Sequence, residues 1–132
     1  MRDVVRTRSV PQIIVSNADY ERLTDLATAS LERVPEVAQE LLAEMDRAKV
    51  VKNGNVPDGV VRMGSTVTFK SDDSNTRTFK LVYPAEESLD EHRISVMTPV
   101  GAALIGLAEG QSISWTARDG RRHELTVEKV KN

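Results

Sequence analysis

The chain has 132 residues, of which 39% are hydrophobic and 29% are charged, enough for one ordinary domain or two very small ones. Its 18 basic and 20 acidic residues give a net charge of -2, which argues against strong, direct binding of nucleic acid. It contains no cysteine, which excludes disulfides, thiolate metal sites and thiol catalysis. No apolar run approaches the length of a membrane span and no signal peptide is evident, so we expect a cytoplasmic protein.

The N-terminal part of the chain predicts an extended segment followed by a helix. Residues 1–16 have a mixed composition and end in QIIVS, a short β-branched run that could form an edge strand. Ser16 is a good N-cap residue, and apolar side chains then recur at helical spacing. We therefore expect a helix over about residues 17–31.

A second helix follows after a very short connection. Pro35 suits the first turn of a helix, and an apolar stripe continues from there to about residue 49. Because only ERVP separates the two helices, they should form an antiparallel hairpin over residues 17–50. Folding the chain at this connection places Arg22 opposite Glu44, as a cross-helix ion pair of modest value.

The composition changes again in the second half of the chain. Residues 51–59 are rich in Asn, Gly and Pro and indicate a linker. Residues 60–132 alternate between apolar and polar and are broken by short turns, which predicts a twisted antiparallel sheet. The one helical stretch there, VGAALIGL, should lay Leu104, Ile105 and Leu107 across a face of the sheet. The predicted fold class is α+β.

Several stretches resemble a known family. VRMGSTVTF, LVYPAE, ISVMTPVGAALIGLAEGQSISW and DGRRHELTVEKV are similar to the C-terminal domain of the bacterial Gre transcript-cleavage factors, which has an FKBP-like fold. The motifs LVYPAE and SVMTPVGAALIGL, together with the start IIVSNADYERL, resemble sequences of the Rnk proteins, called regulators of nucleoside diphosphate kinase. The resemblance covers about residues 12 to 130. It implies a helical hairpin, described in relatives as a coiled coil, on an FKBP-like domain.

The resemblance also implies a partner. Relatives dock on RNA polymerase near its secondary channel, so this chain is expected to bind there as a monomer, without a cofactor, and to compete with Gre-type factors. No residue bears directly on nucleoside diphosphate kinase, whose control would be a downstream effect. Ala102 stands where the Gre pattern usually has an Arg, so one polar contact is missing. The polymerase-contact residues implied by the resemblance are Thr98, Pro99, Val100 and Gly101.

The hairpin tip argues against transcript cleavage. Its charged residues are Glu32, Arg33 and Glu36, without the Asp-x-x-Glu spacing of the cleavage factors. Each predicted arm has about 14 residues and spans roughly 21 Å, about half the length of a Gre coiled coil. A carboxylate near a helix N-terminus is also routine, because the helix dipole favours it. We therefore expect no catalytic residues and no enzyme activity.

The second helix also carries an acidic row. Glu36, Glu40 and Glu44 follow one another at i, i+4 spacing, which is mildly destabilising. One interpretation is a solvated face relieved by nearby arginines. The other is an acidic ridge that faces a basic surface of the polymerase and raises the association rate.

The alternative function is an FKBP-like peptide-binding module or a weak prolyl isomerase. The chain has only five aromatic residues, and four lie at alternating strand positions typical of a core, so no aromatic isomerase pocket is expected. His92 and His123 are far apart in sequence, which does not favour a metal site. We expect His92 in a turn or at a strand edge, and His123 facing solvent or a neighbour in the last hairpin.

Overall fold

The computed structural model describes residues 11–132 and consists of a helical hairpin followed by a curled β-sheet. The α+β class is confirmed, whereas residues 1–10 of the predicted extended segment lie outside the described residues. In chain order the elements are β1 (Ile14–Ser16), α1 (Asn17–Ala29), α2 (Pro35–Arg47), β2 (Lys49–Val51), β3 (Thr66–Ser71), β4 (Thr76–Val82), a 3-10 turn (Pro84–Glu86), β5 (Arg93–Ser95), α3 (Pro99–Leu104), β6 (Ser112–Thr116) and β7 (Arg122–Lys131).

The two helices begin where their capping signals predict. The Ser16 side chain accepts a hydrogen bond from the backbone N–H of Asp19 at 3.1 Å, which satisfies one free donor of α1. Pro35 occupies the first turn of α2, where its missing N–H has no consequence. The buried residues of the two helices are Leu23, Ala27, Val37, Ala38, Leu41 and Met45. Burial of this apolar stripe holds the hairpin together and against the rest of the core.

The base of the hairpin is closed by a two-stranded parallel sheet. β1 leads directly into α1, and β2 follows α2 after a single residue. The two strands pair in parallel, with Val15 opposite Val50. The last three residues of QIIVS thus form a strand, and its partner ends at Val51, where the predicted linker begins. The strand that precedes the hairpin and the strand that follows it are therefore hydrogen-bonded to each other.

The main sheet has five strands in the order β5-β4-β3-β7-β6. The prediction of an antiparallel sheet is right for three of its four pairings and wrong for β4 and β5, which are parallel. The reason is that the chain does not turn back in a tight hairpin after β4. It makes a 3-10 turn at Pro84–Glu86 and a second turn at His92, and β5 then runs in the same direction as β4. A register shift between Thr68 and Phe69 marks a β-bulge, a feature that increases the twist of a sheet.

A single hydrophobic cluster joins the hairpin to the sheet. Leu104, Ile105 and Leu107 are fully buried in it, as predicted. Gly106 has a φ of +81°, and a Cβ at this position would lie 2.8 Å from Cβ of Ile13. The backbone N–H of Ile14 also donates to the carbonyl of Gly106 at 3.2 Å. This close approach fixes the base of the hairpin against the segment that follows α3.

Candidate docking surface

The turn of residues 98–101, here called the docking turn, is held by its own hydrogen bonds. The Thr98 hydroxyl accepts from the backbone N–H of Gly101 at 3.0 Å and donates to the carbonyl of Ser95 at 2.7 Å. Pro99 occupies the first turn of α3, where its fixed φ suits the helix. Thr98, Pro99 and Val100 are half-buried. The side chains that remain accessible therefore stand on a backbone with little freedom.

Gly101 takes part in this turn as a spacer. It is buried, and a Cβ at this position would lie 2.1 Å from the carbonyl oxygen of Ser95, far inside van der Waals contact. Its absent side chain allows α3 to pack directly on the end of β5. The neighbouring Ala102 is only 2% exposed, so the position where the Gre pattern usually has an Arg faces the protein interior. Of the four predicted contact residues, Thr98, Pro99 and Val100 have partly accessible side chains. Gly101 has none, and it allows α3 to pack against β5.

Two depressions lie on either side of the docking turn. The first, the aromatic pocket, has a volume of about 370 Å³. Its aromatic and apolar lining consists of Phe69, Phe79, Ile94, Val100, Trp115 and His123, and its polar lining of Ser71, Asp72, Asp73 and Arg77. The second, the α2 groove, has a volume of about 460 Å³ and lies between α2 and the β6–β7 turn. Its lining includes Glu36, Val37, Glu40, Ala43, Pro99 and Arg118. Adjacent residues of the docking turn, Pro99 and Val100, therefore line different depressions.

The aromatic pocket corrects one expectation from the sequence. Four aromatic residues were predicted to lie in the core, and all four belong to it or pack against it, but only Phe69 is fully buried, and Phe79 and Trp115 are half-buried at the pocket. The reason is their place in the sheet: Phe69 lies on the central strand β3, whereas Trp115 lies on the edge strand β6 and Phe79 on β4, next to the other edge. The indole Nε1 of Trp115 is buried and has no hydrogen-bond partner among the described residues.

The two histidines occupy separate positions, as predicted. The ring of His123 stacks on Trp115, its neighbour in the last hairpin, with 5.0 Å between centroids. Its Nδ1 lies 3.3 Å from a carboxylate oxygen of Asp72, which also accepts from the backbone N–H of Glu124 at 3.1 Å. His92 lies in the turn before β5 with a φ of +59°. Within residues 11–132 there is no cluster of three or more side chains that could hold a metal ion.

The acidic row lies along the α2 groove. Glu44 pairs with Arg47 at 2.6 Å, so the predicted ion pair between Arg22 and Glu44 is wrong. Arg47 lies one turn away on the same helix, while Arg22 stacks on the ring of Tyr83 at 4.5 Å from its centroid. Partial burial, with the neighbouring carboxylates of Glu44 and Glu36, raises the pKa of Glu40.

The hairpin tip differs from the docking turn in exposure. Glu32, Arg33 and Glu36 are all exposed, and α2 begins without a side-chain cap at Val34. Each helix has 13 residues, so the arms span about 20 Å, close to the predicted length. No helix within the described part of the chain is long and apolar enough to cross a membrane.

Two family models match successive parts of the chain. Residues 11–51 match the Rnk N-terminus, and residues 56–132 match the C-terminal part of the transcription elongation factors GreA and GreB. The boundary between the two matches falls just after β2, at the base of the hairpin. The hairpin and the sheet therefore correspond to separate family descriptions.

Individual relatives agree with these matches. The chain is 39% identical over 120 residues to the regulator of nucleoside diphosphate kinase of Escherichia coli (strain K12), covering 90% of this chain and 88% of that protein. It is 29% identical over 113 residues to the elongation factor GreA of Azorhizobium caulinodans, covering 85% and 69%. A solved GreA/GreB elongation factor from Nitrosomonas europaea superposes with a TM-score of 0.72 at 34% identity, covering 91% and 99%. The chain therefore belongs to the Rnk family, the regulators of nucleoside diphosphate kinase, and its sheet domain is a GreA/GreB C-terminal domain.

Proposed function

We propose that this protein regulates transcription by binding RNA polymerase near its secondary channel. There it competes with Gre-type factors without stimulating transcript cleavage. The observation that carries this proposal is the docking turn, which presents accessible side chains from a hydrogen-bonded backbone on a GreA/GreB C-terminal domain. The names of the relatives, an elongation factor and a regulator, support a regulatory role and do not favour the peptide-binding or isomerase alternative.

The energetics of the docking turn suit a binding surface. Because Thr98 and Gly101 fix its backbone before any partner arrives, binding requires little further ordering of the chain. Pro99 and Val100 offer apolar contacts with a depression on either side, an arrangement that can interlock with a partner's side chains. The site is thus expected to act through shape and apolar burial, with no chemistry of its own.

The hairpin accounts for the proposed lack of cleavage. The tip lies about 20 Å from the hairpin base, which in this proposal is too short to bring its carboxylates to the polymerase active centre. Glu32 and Glu36 are exposed and lack the spacing of the cleavage factors. We also propose that the hairpin is a coiled coil, that the sheet domain has an FKBP-like fold and that the protein is a monomer.

Retention of core RNA polymerase by the immobilised protein tests the proposal. The double variant Pro99→Asp/Val100→Asp should reduce retention at least about tenfold, because two charges would replace apolar contacts at the centre of the interface. The matched control Val50→Asp/Leu89→Asp adds the same charge at exposed apolar positions and should bind within about twofold of the natural chain. Circular dichroism should be unchanged in both variants. Absence of polymerase binding by the natural chain at low salt would disprove the proposal.

Competition and cleavage are measured in the same system. Increasing amounts of the natural protein should displace a labelled Gre-type factor from the polymerase, and the Pro99→Asp/Val100→Asp variant should not. In a stalled elongation complex, the protein should leave the rate of transcript cleavage at its background value. Cleavage stimulated by the natural chain would contradict the proposed role of the short hairpin.

A further inference from the structure

The α2 groove has an uneven distribution of charge. On the α2 side, Glu36 and Glu40 line it, and it continues past Glu44 toward Ala102, Ile113 and Trp115. The remaining lining is largely apolar, and Arg118 on the β6–β7 turn is its one basic residue among those described. The groove thus joins an acidic row to an apolar surface that includes Pro99 of the docking turn.

Two carboxylates along this groove have no basic partner among the described residues. Among the described residues, no basic side chain lies within 4.0 Å of the Glu36 or Glu40 carboxylates, and Arg47 is engaged by Glu44. The buried indole N–H of Trp115 has no acceptor in the same part of the chain. The raised pKa of Glu40 agrees with this arrangement, because burial and two neighbouring carboxylates disfavour its charged form. A bound cation would relieve that repulsion.

We propose that the α2 groove binds a basic, amphipathic segment of the partner protein. Its Lys or Arg side chains would pair with the acidic row, and its apolar side chains would lie against Pro99 and Ala43. Residues four apart on a helix rise by about 6 Å, so the row matches cations at the same spacing on a partner helix. The inference rests on the proposed function only in taking the partner to be the polymerase. Such complementary charge raises the association rate and fixes the orientation of the complex.

A designed peptide tests the groove without the polymerase. The probe is a 15-residue helical peptide of Ala, Leu and Lys with a lysine at every fourth position, and its counterpart has Glu in place of Lys. Trp115 is the only tryptophan of the chain and lines both the continuation of the groove past Glu44 and the aromatic pocket, so its fluorescence reports binding on either side of it, and calorimetry gives the affinity. The lysine peptide should bind and shift the emission of Trp115, and the glutamate peptide should not.

Matched variants locate the binding. Glu36→Gln/Glu40→Gln should weaken the lysine peptide at least about fivefold, since two exposed ion pairs are lost. Glu21→Gln/Asp25→Asn removes the same charge from exposed positions on α1 and should change the affinity by less than about twofold. Equal weakening by both variants, or binding without a change in Trp115 emission, would overturn the proposal.

The competing occupant is the chain's own N-terminal segment, which contains Arg2, Arg6 and Arg8. The variant Arg2→Gln/Arg6→Gln/Arg8→Gln should leave the peptide affinity unchanged. A gain of more than about fivefold, comparable to the loss of two ion pairs, would overturn the proposal in favour of this segment.

In polymerase pull-down, Glu36→Gln/Glu40→Gln should weaken retention. If the natural chain does not retain polymerase but still binds the lysine peptide and not the glutamate peptide, the proposed function is disproved and the proposal of a basic ligand for the groove is retained.

Discussion

The docking turn and the hairpin tip are both short connections, yet they are built in opposite ways. In the docking turn, Thr98 makes two hydrogen bonds and Gly101 allows a backbone contact that no other residue could make. At the tip, Glu32 and Arg33 are exposed and α2 starts without a side-chain cap. The backbone of the docking turn is thus fixed by its own contacts, whereas the side chains at the tip make few contacts that a substitution would remove.

This contrast separates two roles within one chain. A surface that binds through shape loses affinity when its backbone moves, so its supporting residues matter as much as its contacts. A projecting arm acts through its length and charge, which depend on helix geometry more than on any one side chain. Substitutions in the docking turn should therefore change stability and binding together, whereas substitutions of Glu32 or Arg33 at the tip should change neither.

The largest effect is expected from Gly101→Ala. The new methyl group would lie 2.1 Å from the Ser95 carbonyl oxygen, and α3 would have to move away from β5. We expect a loss of about 3 kcal/mol in the free energy of unfolding, measured by urea denaturation. Gly110→Ala is the control, because it has a positive φ but open space around the position, and it should cost about 1 kcal/mol. Equal losses would show that Gly101 is not a packing constraint.

A smaller effect is expected from the two helix caps. Thr98→Ala and Ser16→Ala each remove a side-chain acceptor at a helix N-terminus and should each cost about 1 kcal/mol in unfolding free energy. Only Thr98→Ala should also weaken polymerase retention, because only Thr98 supports the docking turn. A comparable loss of retention in Ser16→Ala would mean that global stability, and not the turn, controls binding.

The smallest effect concerns the acidic row. The pKa of Glu40 is raised in the folded protein, so its ionised form disfavours folding at neutral pH, and this cost disappears as the pH falls through that pKa. Glu40→Gln should therefore raise the free energy of unfolding by about 0.3 kcal/mol at pH 7 and leave it unchanged at pH 3. Denaturant midpoints at the two pH values measure this difference. A larger gain in acid would reverse the sign and contradict the assignment.

Local signals in the sequence predicted the main features of the fold. The Ser16 cap, the position of Pro35 and the apolar spacing gave both helices, with observed ends within two residues of the expected ones. The run of small apolar residues after Pro99 predicted α3 and the burial of Leu104 and Leu107. These features depend on neighbouring residues, so a single sequence contains the information for them.

Features that depend on long-range contacts were less accessible. The parallel pairing of β5 arises from a ten-residue connection whose turns have no simple signature. The predicted pair of Arg22 with Glu44 fails because Arg22 contacts Tyr83, a residue far away in sequence. The two depressions beside the docking turn are lined by residues far apart in sequence, which alternation alone does not bring together. The resemblance identified residues 98–101, and only the structure distinguished Gly101 as a support from its accessible neighbours.

Because β1 and β2 pair in parallel at its base, the length of the helical hairpin can change without changing the direction in which it projects. Both strands are anchored at the base, so the direction in which the hairpin projects is set there, at Gly106 and Ile13, and not at its far end. Inserting one heptad into each helix would extend the reach by about 10 Å without redirecting it. An engineered series of such insertions would therefore vary the reach of the tip while the base of the hairpin stays unchanged.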